Sequence, residues 1–155
     1  MDPTPLQQAL TQAGAFAAIG FSAVGSALGA GVAGCAAVGA WKKCYAQDRP
    51  APFQLAVFAG APLSQTIYGM ILMFLISGKA AESATYWPVF LVLGTLAGIA
   101  MGVSAWMQGK AAAGSCDAFA ETGQGFTNYL MALGIIETVA IFVMAFGIVM
   151  LTKIG

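Results

Sequence analysis

The stretch GIIETVAIFVMAFGIVM, Gly134–Met150, decides what kind of protein this chain is. Glu137 is its only charged residue, and most of the other side chains suit hydrocarbon. A charge near the centre of a bilayer costs roughly 2.5–3.5 kcal/mol on insertion scales, so an ionisable residue there is by default a functional one. The alternative is a protonated carboxyl group that only links two helices by a hydrogen bond.

The composition indicates a membrane protein. The chain has 155 residues, of which 59% are hydrophobic and 8% charged, and its mean hydropathy is +0.83. Soluble domains contain about 25% charged residues. A net charge of zero offers no basic face for nucleic acid. The absence of histidine and of a CxxC pair excludes most metal and catalytic-base motifs. The N-terminus lacks a basic residue before the first apolar run, so we expect no cleaved signal peptide.

Four apolar stretches each reach the ~20 residues needed to cross a bilayer, and they are predicted as helices because lipid cannot satisfy exposed backbone groups. The predicted fold class is therefore an all-α membrane protein with two duplicated helical hairpins, residues 1–78 and 79–155. A short match between SQTIY, starting at Ser64, and IETVA, starting at Ile136, supports the duplication. The spans are predicted at about 13–41, 53–76, 87–113 and 126–151.

The linkers predict an orientation. The linker Lys42–Pro52 contains three basic residues, so the positive-inside rule places it in the cytoplasm. The third linker, Gly114–Gly125, then lies on the same side. Both termini and the middle linker, Ser77–Tyr86, are expected on the non-cytoplasmic side of the cell membrane.

Glycines mark the closest helix contacts. They recur at four-residue spacing in the third span, and Gly25 and Gly29 do the same in the first. Such stripes lie on one helix face and let two backbones approach. The second and fourth spans are richer in large side chains. We therefore expect spans one and three to pack together inside a ring and spans two and four to face lipid.

Several polar side chains accompany the carboxylate inside the spans. Either glutamine, Gln65 or Gln108, could serve only as a helix–helix hydrogen bond. Pro62 lacks an N–H group, so the Phe58 carbonyl is predicted to lose its helical partner. Together with one carboxylate, such oxygens form a site that suits a hard monovalent cation. Along ideal helices Gln65 and Gln108 lie at different depths, unless the third span starts farther out or bends.

Three segments, PLSQTIYG (62–69), QGKAAAG (108–114) and IIETVA (135–140), together with the four-helix pattern, resemble the membrane rotor subunit of V-type ATPases. This is the proteolipid or K subunit, and the likeness is greatest to the sodium-translocating bacterial form. The resemblance implies a homo-oligomeric ring in lipid, turned by ATP hydrolysis in a separate head. It further implies a membrane stator subunit with a basic residue, and a central-stalk subunit that contacts the cytoplasmic loops.

The resemblance also assigns roles to individual residues. It makes Glu137 the carboxylate that carries one Na⁺ per subunit, and Tyr68 a hydrogen-bond donor to that carboxylate. The other implied ligands are the two amide oxygens of Gln65 and Gln108, the Ser64 hydroxyl, where the family often has threonine, and the Ala61 backbone carbonyl.

Three other readings remain open. A proton-translocating rotor would use the same Glu137, because desolvation favours a protonated carboxyl. The additional oxygens favour sodium, since they replace its hydration shell. A tetraspan membrane enzyme of the glutathione-transferase type would need several basic residues, and only Lys110 lies within the spans. A purely structural four-helix protein would have no use for Glu137. The chain lacks a GxxxxGK[ST] phosphate loop, so it is not expected to hydrolyse ATP.

Overall fold

The computed structural model describes residues 3–154, which are almost entirely helical. Short 3-10 helices, Ala61–Leu63 and Ala84–Tyr86, precede the third and fourth α-helices. The α-helices are α1 (Pro5–Ala46), α2 (Leu55–Gly60), α3 (Ser64–Lys79), α4 (Trp87–Thr122) and α5 (Phe126–Thr152).

Within this described range, four helical segments are long and apolar enough to cross a membrane. They are Pro5–Ala46, Leu55–Lys79, Ala84–Thr122 and Phe126–Thr152. The predicted all-α fold with four spans is confirmed. The second span combines α2, the 3-10 turn and α3, whereas the other three have a single α-helix at their centre.

Local sequence sets where the helices begin and end. The backbone N–H of Gln7 donates to the Thr4 hydroxyl, and the backbone N–H of Thr4 donates to the Gln7 side-chain oxygen. This capping box starts α1, with Pro5 in the first helical position. At the other turn, Gly123 and Gly125 have φ values of 65° and 83°, which glycine adopts without strain. They end α4 and start α5.

The linker predicted over 114–125 is much shorter in the structure. α4 stays helical to Thr122, so the connection to α5 contains only residues 123–125. Cys116 and Phe119 pack into the bundle, while Asp117 and Glu121 are exposed. Polar composition was misleading here, because one buried face is enough to hold an amphipathic segment in a helix.

α1 and α4 pack backbone against backbone, as the glycine stripes predicted. A Cβ added to Gly25 would lie 1.9 Å from the carbonyl oxygen of Gly102. A Cβ added to Gly109 would lie 2.2 Å from the Cα of Gly29. Any side chain at these positions would push the two helices apart, so this contact depends on glycine.

The predicted division between small and large faces is incomplete. α3 and α5 expose large apolar side chains such as Phe74 and Phe142. However, α1 and α4 also expose Phe16 and Leu96, at 69% and 62% of their surface. Each of these two helices has a glycine face toward the other and an apolar face away from it. Spans one and three therefore also need lipid or a neighbouring subunit to cover them.

Pro62 interrupts the second span without leaving the Phe58 carbonyl unpaired. The backbone N–H of Ala61 donates to that carbonyl. The prediction of a freed carbonyl at Phe58 is therefore wrong. The tighter 3-10 turn brings a donor three residues along the chain, where an α-helix would have used residue 62.

Candidate ion-binding site

Glu137 lies near the middle of α5 and is half-buried. The Tyr68 hydroxyl donates to its Oε1 atom at 2.5 Å. Nε2 of Gln108 donates to Oε2 at 3.2 Å. Hydrogen bonds to an ionised acceptor are shorter and stronger than neutral ones. Both carboxylate oxygens are thus held by side chains from two other helices, α3 and α4.

The two glutamines form the buried part of the site. Gln65 and Gln108 have no exposed surface. Nε2 of Gln65 donates to Oε1 of Gln108 at 2.9 Å. Nε2 of Gln108 also donates to the backbone carbonyl of Leu133 at 3.0 Å. Pairing of this kind is required, because a polar group buried away from water without a partner is strongly unfavourable.

The expected difference in depth does not keep the glutamines apart. The side chains of a helix lean toward its N-terminus, and α3 and α4 run in opposite directions. Gln65 therefore leans toward the level of Gln108, and Gln108 leans toward that of Gln65. Helix rise per residue alone could not reveal this, because it places Cα atoms and not side-chain ends.

Ser64 and Ala61 extend the group along the broken second span. The Ser64 hydroxyl lies 3.1 Å from the Ala61 carbonyl oxygen and 3.2 Å from Oε1 of Gln65. The same carbonyl accepts the backbone N–H of Ser64. The structure thus brings all six predicted residues into one connected chain of hydrogen bonds: Ala61, Ser64, Gln65, Gln108, Glu137 and Tyr68.

The chemistry of this group is that of one carboxylate among neutral oxygens. It offers two amide oxygens, a serine hydroxyl and a backbone carbonyl besides Glu137. Among residues 3–154 there is no cluster of three His, Cys, Asp or Glu side chains that could hold a metal ion. The donor set carries a single negative charge, which matches a monovalent cation or a proton better than a multivalent metal.

Sequence reasoning missed one residue beside the carboxylate. The buried Ser104 hydroxyl donates to the backbone carbonyl of Ile136 at 2.9 Å, so α4 holds α5 at the residue before Glu137. A helical serine usually bonds to a carbonyl of its own helix, which made Ser104 look unremarkable. The available signal was its position four residues before Gln108, on the same face of α4.

Lys110 does not belong to this hydrogen-bonded group. It is exposed, and its ammonium group lies 4.2 Å from the centre of the Trp106 ring. This cation–π contact occupies the one basic residue that the sequence placed well inside the spans. The geometry gives no support to an anion-binding enzyme site built around it.

Comparison with known proteins agrees with this arrangement. Residues 91–150 match the family model that describes the C subunit of ATP synthase, and the matched segment contains both Gln108 and Glu137. The A-type ATP synthase subunit K of Methanocaldococcus jannaschii is 33% identical over 142 residues, which cover 91% of this chain. The chain spans 61% of the length of that relative.

Proposed function

The chain is related to the rotor proteolipid subunits of A- and V-type ATPases, and we propose that it is an ion-carrying subunit of such a rotor. Copies of the chain would form a closed ring in the membrane, covering the apolar faces that a single copy leaves exposed. The chain would not catalyse ATP hydrolysis itself. ATP hydrolysis in a separate head would turn the ring.

The observation that carries this proposal is the state of Glu137. Its carboxylate lies within an apolar span, and Tyr68 and Gln108 donate to its two oxygens. None of the hydrogen bonds to this carboxylate within residues 3–154 comes from a basic side chain. A bound monovalent cation or proton would neutralise it, and only the neutral form crosses hydrocarbon at low cost.

We infer that sodium is the transported ion. Dehydrated sodium needs several oxygens in place of water, and this site offers an amide pair, a hydroxyl and the Ala61 carbonyl beside the carboxylate. Rotation of the Gln108 amide about its last side-chain bond would replace Nε2 with Oε1 next to Glu137. A proton carrier would need none of these additional oxygens, although it would use the same carboxylate.

Transport would depend on changes in the surroundings of Glu137. Moving one charge against 100 mV requires about 2.3 kcal/mol, which rotation of the ring supplies. In a stator subunit, water or a basic residue would stabilise the bare carboxylate and release the ion. The carboxylate would then load again and return through lipid in its neutral form.

The proposed orientation places the basic ends of α1 and α4 in the cytoplasm. Lys43 forms an ion pair with Glu121 at this end, and Arg49 donates to the Glu121 backbone carbonyl at 3.4 Å. These contacts join the α1–α2 and α4–α5 connections into one surface. A central-stalk subunit would dock on that surface.

Carbodiimide labelling tests the proposed ion. The reagent modifies protonated carboxyl groups in apolar surroundings, so sodium at Glu137 should block the reaction near neutral pH. The modified fraction would be measured by mass spectrometry of the intact chain, with potassium at equal ionic strength as the control. Glu137→Gln should remove the label, which identifies the modified residue. Labelling that ignores sodium would favour the proton-carrying alternative.

A further inference from the structure

Ser26 carries a buried hydroxyl that the described structure leaves without a partner. The residue is 2% exposed, and within residues 3–154 its Oγ atom has no hydrogen-bond partner. Two other buried serines show the usual solution. Ser22 donates to the Ala18 carbonyl at 2.9 Å, and Ser115 donates to the Ala111 carbonyl at 2.9 Å. Ser26 lies in the same kind of helix and does not do this.

Two contacts between α1 and the second span fix the level of Ser26. A Cβ added to Gly69 would lie 2.0 Å from the Ser22 hydroxyl. A Cβ added to Gly29 would lie 3.0 Å from the Cβ of Pro62. The helices are antiparallel, and Ser22 is as far from Gly29 along one chain segment as Gly69 is from Pro62 along the other.

Between these two contacts, Ser26 is level with Gln65. Ser26 follows Ser22 by one helical turn, and Gln65 precedes Gly69 by one turn. Residues four apart share a helix face. The face of α1 that meets Gly69 and Pro62 therefore presents Ser26 to the turn of α3 that carries Gln65.

Gln65 has a hydrogen atom that complements the Ser26 oxygen. A side-chain amide has two N–H donors, and one of those on Gln65 is bonded to Gln108. No second hydrogen bond from Nε2 occurs among the described residues. A fully buried donor and a buried acceptor thus lie at the same level on facing helices. Leaving either without a partner in an apolar span is unfavourable.

We propose that the Ser26 hydroxyl accepts the second N–H of the Gln65 amide, directly or through one buried water, and so keeps the Gln65 oxygen directed toward the ion. This inference rests on the proposed sodium-carrying function. Ser26 would be a positioning residue that acts through Gln65. It would discriminate between ions, because an amide turned the wrong way presents N–H groups to a cation but does not stop Glu137 from taking a proton.

The test compares Ser26→Ala with Ser22→Ala in purified, assembled wild-type and variant protein. Both changes remove one hydroxyl from the same face of α1, but the Ser22 hydroxyl is already bonded within its own helix. We expect Ser26→Ala to raise the sodium concentration that half-protects Glu137 from carbodiimide by about five- to tenfold, the effect of one net hydrogen bond. Ser22→Ala should leave this concentration near the wild-type value.

A second readout separates positioning from general damage. Without sodium, the dependence of labelling on pH should be the same in Ser26→Ala and wild type, and the ring should assemble equally by native mass spectrometry. If sodium protects the wild type and both serine variants equally, the Ser26 inference is wrong while the sodium rotor stands. If sodium does not protect the wild type, the proposed ion and the ion-directed role of Ser26 both fall.

The contact itself can be checked without a mutation. A map of the wild-type ring that resolves water should place the Ser26 hydroxyl at a hydrogen-bonding distance of about 2.7–3.2 Å from the Gln65 nitrogen or from a water shared with it. A hydroxyl turned back onto a carbonyl of its own helix would overturn the inference, whichever ion the protein carries.

Discussion

Gln65 and Glu137 occupy matching positions in the two hairpins, in SQTIY and IETVA, and the structure uses them differently. Gln65 is fully buried and follows the 3-10 turn of the second span. Glu137 is half-buried and lies within an unbroken helix. A neutral amide tolerates complete burial once its groups are paired. A carboxylate is costlier to bury and needs a partner that can arrive and leave.

This difference assigns separate tasks to the hairpins. The first supplies fixed polar groups, including a backbone carbonyl at the Ala61–Leu63 turn. The second supplies the exchangeable charge. A chain with two such carboxylates would have to neutralise both before each crossing of the lipid, whereas this chain neutralises one.

Glu137→Gln makes the two positions alike and should have the largest effect. The amide remains able to bond to Tyr68 and Gln108, so the ring should assemble. Without an exchangeable charge, ion transport by reconstituted protein should be abolished. Thr138→Ala is the matched control, since the Thr138 hydroxyl bonds to the Ile135 carbonyl of its own helix. Wild-type transport by Glu137→Gln would refute the carboxylate mechanism.

Gln65→Leu removes the fixed support and leaves the charge. It deletes an oxygen ligand and leaves Oε1 of Gln108 without its donor, a loss of about 3 kcal/mol at the upper end for such groups. Sodium affinity, measured by protection from carbodiimide, should fall about 100-fold. Gln12→Leu is the control, because Gln12 is exposed and bonds to Ser77 away from the site. Unchanged protection would exclude Gln65 from the ion site.

The sequence predicted the parts of the molecule that follow from periodicity and composition. Hydrophobic length gave four spans, and glycine spacing gave the α1–α4 contact. The pairing of Tyr68 with Glu137 came from the family resemblance, and the structure places the two groups in contact. These features depend on local pattern or on motifs that can be recognised in one dimension.

Features that depend on side-chain direction were not predictable in this way. The 3-10 turn that satisfies the Phe58 carbonyl is a local choice among several hydrogen-bond patterns. The meeting of Gln65 and Gln108 depends on the lean of side chains on antiparallel helices. Ser26 and Ser104 look alike in sequence, yet the Ser104 hydroxyl reaches the next helix and the Ser26 hydroxyl has no partner among residues 3–154.

Tyr68→Phe sharpens the comparison by removing one donor from Glu137 and none from Gln65. A hydrogen bond to a charged group contributes about 1.5–3 kcal/mol, and the lower end applies to a half-buried carboxylate. The sodium concentration for half-protection should therefore rise about tenfold. Tyr129→Phe is the control on α5, where the ring packs against Phe58. Equal protection in both variants would remove Tyr68 from the site.

Ser104→Ala should have the smallest effect of the series, because it changes how α5 is held and leaves every proposed ligand in place. A neutral hydrogen bond contributes about 0.5–1.5 kcal/mol, so sodium affinity should fall about threefold to tenfold. Ser115→Ala is the control, since it removes an equally buried hydroxyl of α4 that bonds to its own helix. Combining Ser104→Ala with Tyr68→Phe distinguishes positioning from bulk stability: if Ser104 acts by bringing Glu137 to Tyr68, the two effects on sodium affinity will not add. Fully additive effects would show that the Ser104 hydrogen bond stabilises α5 without orienting its carboxylate.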